Sequence, residues 1–232
     1  MRELILDTET TGLNVPENRI IELGFVEHLN GSPTGLEYQQ FFNPEMAIHE
    51  DAKKVHGIGD EDLQDMPLFA DKVEELLEYF KEAKLVVHNA EFDIAFINKE
   101  LEYCNKPPIL SHQVIDTLDL ARRMLPEKGH HSLDALCNHF KIDLSKRTKH
   151  GALLDAQYLS EIYIRLKQEE APDLIESNID SLLSNSARKR RHSKRLVRIG
   201  SQITEAEAEA HENYVASQLG ANSIWTQYRV NK

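Results

Sequence analysis

The chain has 232 residues and a net charge of −12, from 39 acidic and 27 basic side chains, with 41% hydrophobic and 28% charged residues. That balance belongs to a globular protein and excludes a fibrous, collagenous or wholly disordered one, and no apolar run reaches the roughly 18 to 20 residues of a membrane span. The acidity argues against a strong autonomous grip on nucleic acid, because phosphate contacts need Lys and Arg, but leaves nucleic acid open as a substrate.

The apolar run in "MRELILDTET" is too short for a secretory signal, so the cytosol is the expected compartment. Cys104 and Cys137 lie far apart with no C-x-x-C spacing, and no disulfide framework is expected. "ELILD" reads as a compact strand and "RIIELGFVEHL", Arg19 to Leu29, as a second. A break at "NGSPTG" leads to a third, "LEYQQFFN", and the three form an antiparallel meander. "PLFADKVEELLEYFKEA", Pro67 to Ala83, spaces Phe69, Val73, Leu76, Leu77 and Phe80 as a helix, and "KLVVHN" follows as a buried strand. Asn89 is placed to cap the next helix, "AEFDIAFINKELEYC". A short strand "HQVID" enters "TLDLARRML", which Pro126 stops, and Ser132 caps "LDALCNHF". A last helix runs from about Ala152 to Lys167. Strands paired first and then alternating with helices predict an α/β domain over residues 1–168, a mixed five-stranded sheet flanked by helices.

Asp7 and Glu9 stand at i and i+2 of the first strand and therefore project from one face. Adjacent carboxylates repel, and either a shared proton or a cation relieves them; the plainer alternative is a strand end with both acids solvated. Asp93 falls in the first turn of a helix, where an acid is favoured whatever the function. Asp155 lies in a helix that is apolar around much of its circumference, so it sits near the core and wants a partner.

"DTETTGL", "HNAEFD" and "HGALLDA", in that order, resemble the three motifs of the DEDDh family of 3′-to-5′ exonucleases over about residues 2–168. The resemblance implies a ribonuclease H-like fold. It also implies a two-metal phosphodiester hydrolysis with Asp7, Glu9, Asp93 and Asp155 as metal ligands and His150 as general base. Hard oxygen donors suit Mg²⁺ or Mn²⁺, and two such ions about 3.5 to 4 Å apart can bind both the attacking and the leaving oxygen. Five residues separate His150 from Asp155, about 140° on a regular helix, so their convergence requires His150 on the loop before it.

His56 in "VHGI" resembles a family segment lining the pocket for the terminal nucleotide, and Thr10 is placed near the terminal sugar. His88 and Asn89 either contact substrate or fix the strand-to-helix turn. Asp116 is expected to cap the "TLDLARRML" helix and Asp119 to favour its first turn, so neither is counted in the metal site. His130 and His131 read as solvated or helix-flanking.

Composition changes after residue 168. Residues 1–168 hold 18 basic and 30 acidic side chains, and residues 169–232 hold nine of each. Residues 169–195 read as a flexible linker containing the basic cluster Arg188 to Arg195. Beyond the linker, "RLVRIGSQI", Arg195 to Ile203, reads as a short strand at the start of a tail over residues 196–232, and Thr204 with Glu207 forms a capping box for a helix to about Leu219 that Gly220 ends. Trp225 has the setting of an aromatic anchor for a partner's pocket. This tail resembles that of the epsilon (proofreading) subunits of bacterial DNA polymerase III, a branch of the same family. The resemblance implies attachment through residues 196–232 to the alpha (polymerase) subunit and a frayed or single-stranded DNA 3′ end as substrate. RNA trimming, or a mainly structural role in stabilising the polymerase, is the alternative. A sliding clamp and a small accessory subunit are further candidate partners, although "KQEEAPDLIESNIDSLL" has no convincing Gln-led aromatic motif.

Overall fold

Five strands form one mixed sheet in the order β3-β2-β1-β4-β5. They are β1 (Arg2–Thr10), β2 (Ile20–Leu29), β3 (Ser32–Phe41), β4 (Ala83–Val87) and β5 (Val114–Asp116). β1 pairs antiparallel with β2 and parallel with β4, β2 pairs antiparallel with β3, and β4 pairs parallel with β5. The computed structural model describes residues 1–145, 147, 149–170, 204, 209, 210 and 213. The chain divides into two units, Met1–Ile179 and Asp180–Lys232.

Alternation along the strands builds a core on each face. Leu4, Leu6, Phe25, Leu85 and Val87 pack with α3 (Phe69–Phe80) and α4 (Ala90–Tyr103). Ile5, Val26 and Val86 pack on the other face with α5 (Thr117–Met124), α6 (Leu133–Phe140) and α7 (Ala152–Glu170). The meander and the long helices fall where the sequence predicts them, with shifted bounds. β1 continues through Thr10, α7 extends to Glu170, and the break at "NGSPTG" contracts to Asn30 and Gly31. Both turn residues have positive φ, 54° and 80°, as a two-residue hairpin turn of the primed kind requires. Ser32 to Gly35 therefore join β3, an edge strand that tolerates Pro33. Two short helices, α1 (Glu50–His56) and α2 (Asp60–Leu63), have no counterpart in the sequence reading, because their apolar residues are too few for a visible period.

Asn89 occupies the N-cap of α4, but its side chain does not cap. It is in the left-handed region, φ 61°, and the helix's first donors go instead to Asp116, which accepts from Asn89 N at 3.2 Å and Ala90 N at 3.1 Å. Asp116 also accepts from Leu118 N at 2.8 Å, so it caps α5 as expected and α4 in addition. Ser132 caps α6 through Ala135 N. Arg19 forks onto buried Glu100 with two bonds of 2.7 Å, tying the start of β2 to α4.

Of the tail helix expected from Thr204, Glu209, Ala210 and Asn213 are helical. The basic cluster Arg188 to Arg195, the "RLVRIGSQI" strand, Glu207, Gly220 and Trp225 lie outside the described residues. No helix among the described residues is long and apolar enough to cross a membrane.

Gly24 fixes how near α7 comes to the sheet. It pairs with Asp7, and a Cβ built on it would fall on the backbone of Ala152 and Leu153. Gly24→Ala must push the start of α7 outward. The expected cost is about 1 to 3 kcal/mol, the range for forced overpacking, with a falling urea midpoint and weakened nuclease activity; unchanged values in both assays would show that the helix start can shift freely.

Candidate active site

The site forms where β1 outruns its parallel neighbour. β1–β4 pairing ends at Ile5 with Val86, which leaves the β4-facing edge of residues 7 to 10 without a strand partner. Thr8 N, released from that ladder, donates to Asp93 Oδ1 at 3.0 Å, and Thr8 Oγ1 donates to the same oxygen at 2.6 Å. Asp93 thus reaches the strand from α4, while Asp7 and Glu9, in alternation with Ile5, face α7, which carries Asp155. Asp93 and Asp155 are both buried, each at 4% exposure.

Electrostatics records the convergence. Burial, then the charges of Asp93, Glu9, Asp155 and Glu22 in that order, raises Asp7 well above the ordinary carboxylate range. Burial, then Asp155 and Glu22, pushes Glu9 up to about 8. Burial pushes Asp93 up to about 7 against the opposing pull of its Thr8 hydrogen bonds. Asp155 alone of the four ends below its ordinary value: burial raises it, but the Arg147 and His150 partners outweigh burial.

Arg147 was not anticipated from the sequence. Its Nε and one terminal nitrogen donate to Asp155 Oδ1 and Oδ2, both at 2.6 Å, and its other terminal nitrogen pairs with Asp134. Its side chain is 7% exposed. The nitrogen on Asp155 Oδ2 also lies 2.9 Å from His150 Nδ1, which is 3.1 Å from Asp155 Oδ2. His150 stands on the loop before α7, its backbone N–H held by Val55 O at 3.2 Å, as convergence with Asp155 requires. A second unanticipated residue is Glu22, 1% exposed and directly opposite Glu9 in the β1–β2 pair, with Oε1 held by Gln39 at 2.7 Å. Only strand register brings it there. For Arg147 a signal did exist: a carboxylate cluster needs positive charge, and Arg147 stands between the second and third motifs, three residues before His150.

The remaining candidates are tied down differently. Thr10 Oγ1 donates to Gly12 O at 2.8 Å. His56 is buried at the end of α1, its Nδ1 accepts from Ile58 N at 3.0 Å, and its Nε2 has no hydrogen-bond partner. His88 Nδ1 meets Thr117 Oγ1 at 2.9 Å, which fixes the turn from β4 toward α4. The Asn89 side chain is exposed. Beside Glu9 a groove of about 490 Å³ opens between Thr10, Leu13, His49, Val55 and Phe92, within the size range of small-ligand sites.

Glu9, His150 and Asp155 each offer a ligand atom within 4.8 Å of the others. With Asp7 and Asp93 adjoining, this is a donor set of carboxylate oxygens and one imidazole whose carboxylates are strained by mutual repulsion. It fits a divalent cation with hard-ligand preference.

The exonuclease family RNase_T matches residues 4–163. DNA polymerase III subunit epsilon of Salmonella typhimurium is 38% identical over 241 residues, covering 97% of each chain. The subunit of the same name from Rickettsia felis is 37% identical over 227 residues, covering 94% of this chain and 97% of the relative. The chain belongs to this exonuclease family. It is a DEDDh-type 3′-to-5′ exonuclease with a ribonuclease H-like fold. Among solved structures, exonuclease X in complex with 5′ overhanging duplex DNA is 25% identical, with a TM-score of 0.56, over 74% of this chain and 92% of that one. The nuclease domain of 3′hExo, a DEDDh family member bound to rAMP, shares the fold at 19% identity, with a TM-score of 0.62, over 72% of this chain and 92% of that one.

The raised values of Glu9 and Asp93 predict a pH dependence. In the folded, metal-free protein these groups hold protons that the unfolded chain releases near pH 4 to 4.5. Their contribution to stability is therefore intact below the unfolded value and lost as pH rises through about 7 to 8. Metal-free Glu9→Gln is expected to melt on the order of 10 °C above wild type at pH 8, at roughly 2 to 4 °C per kcal/mol for a domain of this size, and level with it at pH 4. A melting difference independent of pH would contradict the assignment.

Proposed function

We propose that this enzyme proofreads for a replicative DNA polymerase, removing nucleotides from a frayed or mispaired DNA 3′ end as 5′-mononucleotides. The observation that carries the reading is the convergence of Asp7, Glu9, Asp93, Asp155 and His150 beside an open groove. A scaffold protein has no reason to keep so many mutually repelling acids together, since each raises the cost of folding.

Asp7, Glu9, Asp93 and Asp155 would hold two divalent ions, Mg²⁺ or Mn²⁺. When bound, these neutralise the carboxylates and the scissile phosphate and acidify water. His150, half-exposed on its loop, accepts the proton of the attacking water, a task suited to an imidazole near neutral pH. As the water oxygen bonds to phosphorus, the bond from phosphorus to the 3′ oxygen of the preceding nucleotide breaks. The terminal nucleoside lies in the groove, its base against Leu13, Val55 and Phe92. Thr10 lines the groove, and His56, His88 and Asn89 are the further candidate substrate contacts.

Residues 196–232 attach the enzyme to the polymerase alpha subunit, and residues 169–195 serve as the tether. A short tether yields an effective concentration in the millimolar range, which makes a basic DNA-gripping surface unnecessary and agrees with an acidic body.

On 3′-mismatched primer–template DNA with Mg²⁺, Asp7→Ala is expected to lose at least about 10²- to 10³-fold in rate, the scale for removing one group that stabilises the transition state. Equal degradation by both proteins would end the catalytic assignment, and preferential digestion of RNA would end proofreading. Truncation after Glu170, the end of α7, is expected to keep single-strand digestion and abolish polymerase co-elution in size-exclusion chromatography; retained co-elution would move the attachment into the exonuclease domain.

A further inference from the structure

Asp155 already has a cation. The Arg147 guanidinium takes both of its oxygens at 2.6 Å, and the ion pair is almost closed to water, at 7% and 5% side-chain exposure. A fork of this kind is among the strongest charge-assisted contacts a carboxylate makes. A divalent ion ligated by Asp155 needs at least one of those oxygens, so the ion and the fork compete for the same lone pairs. Arg147 also reaches beyond Asp155: its charge pulls Glu9 down, and Asp7 in turn stabilises the guanidinium. It is therefore a counter-charge to the whole cluster.

The same contact engages the general base. His150 Nδ1 lies 2.9 Å from Arg147 and 3.1 Å from Asp155. A guanidinium only donates and a carboxylate only accepts, so Nδ1 can serve one of the two at a time. When it pairs with Arg147, Nδ1 is the acceptor. With Arg147 gone, Nδ1 carries a proton to Asp155, and Nε2 is left as the acceptor nitrogen.

We propose that Arg147 is an internal latch on the metal site: it holds Asp155 and His150 in the metal-free enzyme, and divalent-ion binding expels it. The inference rests on the exonuclease reading of these carboxylates and adds a residue that sets the ion concentration at which the site assembles. Asp134, 56% exposed on its side chain, holds the outer edge of the guanidinium and serves as the latch's anchor. Swinging outward, Arg147 keeps its charge near the groove and becomes available to a phosphate of the incoming strand.

The test is Mn²⁺ binding to the full chain without nucleic acid, with free ion read by electron paramagnetic resonance, in wild type, Arg147→Gln, Asp134→Asn and Asp7→Asn. Arg147→Gln is expected to bind Mn²⁺ at least about tenfold more tightly. Asp134→Asn, which touches no carboxylate of the cluster, is expected to bind it about two- to threefold more tightly, as befits loss of a single exposed ion pair. Unchanged or weaker binding in Arg147→Gln would overturn the latch; should that variant not fold, unchanged binding in Asp134→Asn would do so. Asp7→Asn separates the two ideas. If it weakens Mn²⁺ binding while Arg147→Gln does not strengthen it, the metal site stands and the latch falls; if it leaves binding intact, the metal reading itself fails and the latch with it.

Discussion

Asp7, Glu9, Asp93 and Asp155 repel one another at the end of β1, and the surrounding structure serves to hold them there regardless. Three devices share the task. Thr8 gives two donors to Asp93, burial and mutual repulsion raise the proton affinity of Glu9 and Asp7, and Arg147 forks onto Asp155. Each relieves one carboxylate without removing the collective demand for positive charge. The cluster retains a demand for positive charge that a divalent ion, which the family implies, would meet.

The geometry depends on where backbone contacts stop. β4 ends its pairing with β1 at Ile5, which frees Thr8 N for Asp93. Gly24 removes the side chain that would otherwise hold α7 away from β2, and this lets Asp155 arrive above Asp7. Asp116, capping two helices at once, fixes the start of α4 relative to β5 and so the direction from which Asp93 enters. The core on either face of the sheet supplies the rigidity, with α3 and α4 on one side and α5, α6 and α7 on the other. A catalytic site tolerates little displacement of its groups, and these contacts limit it.

An acidic enzyme acting on a polyanion is consistent with this design. The net charge of −12 is concentrated in residues 1–168, and the groove beside Glu9 sets Leu13, Val55 and Phe92 among polar and acidic side chains such as Asn14, Glu17 and Asp51.

The order of the strands was not legible in the sequence, whereas the mixed sheet, the meander and the long helices were, because hydrophobic alternation is a property of contiguous segments. His150 was assignable to a loop for the same reason: five residues from Asp155 cannot converge on it within one helix. Glu22 and Asp116's second cap were hidden, since each acts on a residue distant along the chain and only register or packing brings the partners together, whereas Arg147 lies close in sequence to its partners. Asn89 shows the converse, a cap position correctly located whose side chain yields to a better acceptor from another segment. The sequence by itself determined which chemical groups this protein owns and the strands and helices that carry them. Tertiary structure alone decided which groups are neighbours, and so which carboxylates are pushed toward the protonated form and which is paired with an arginine, because charge and hydrogen bonding act through space.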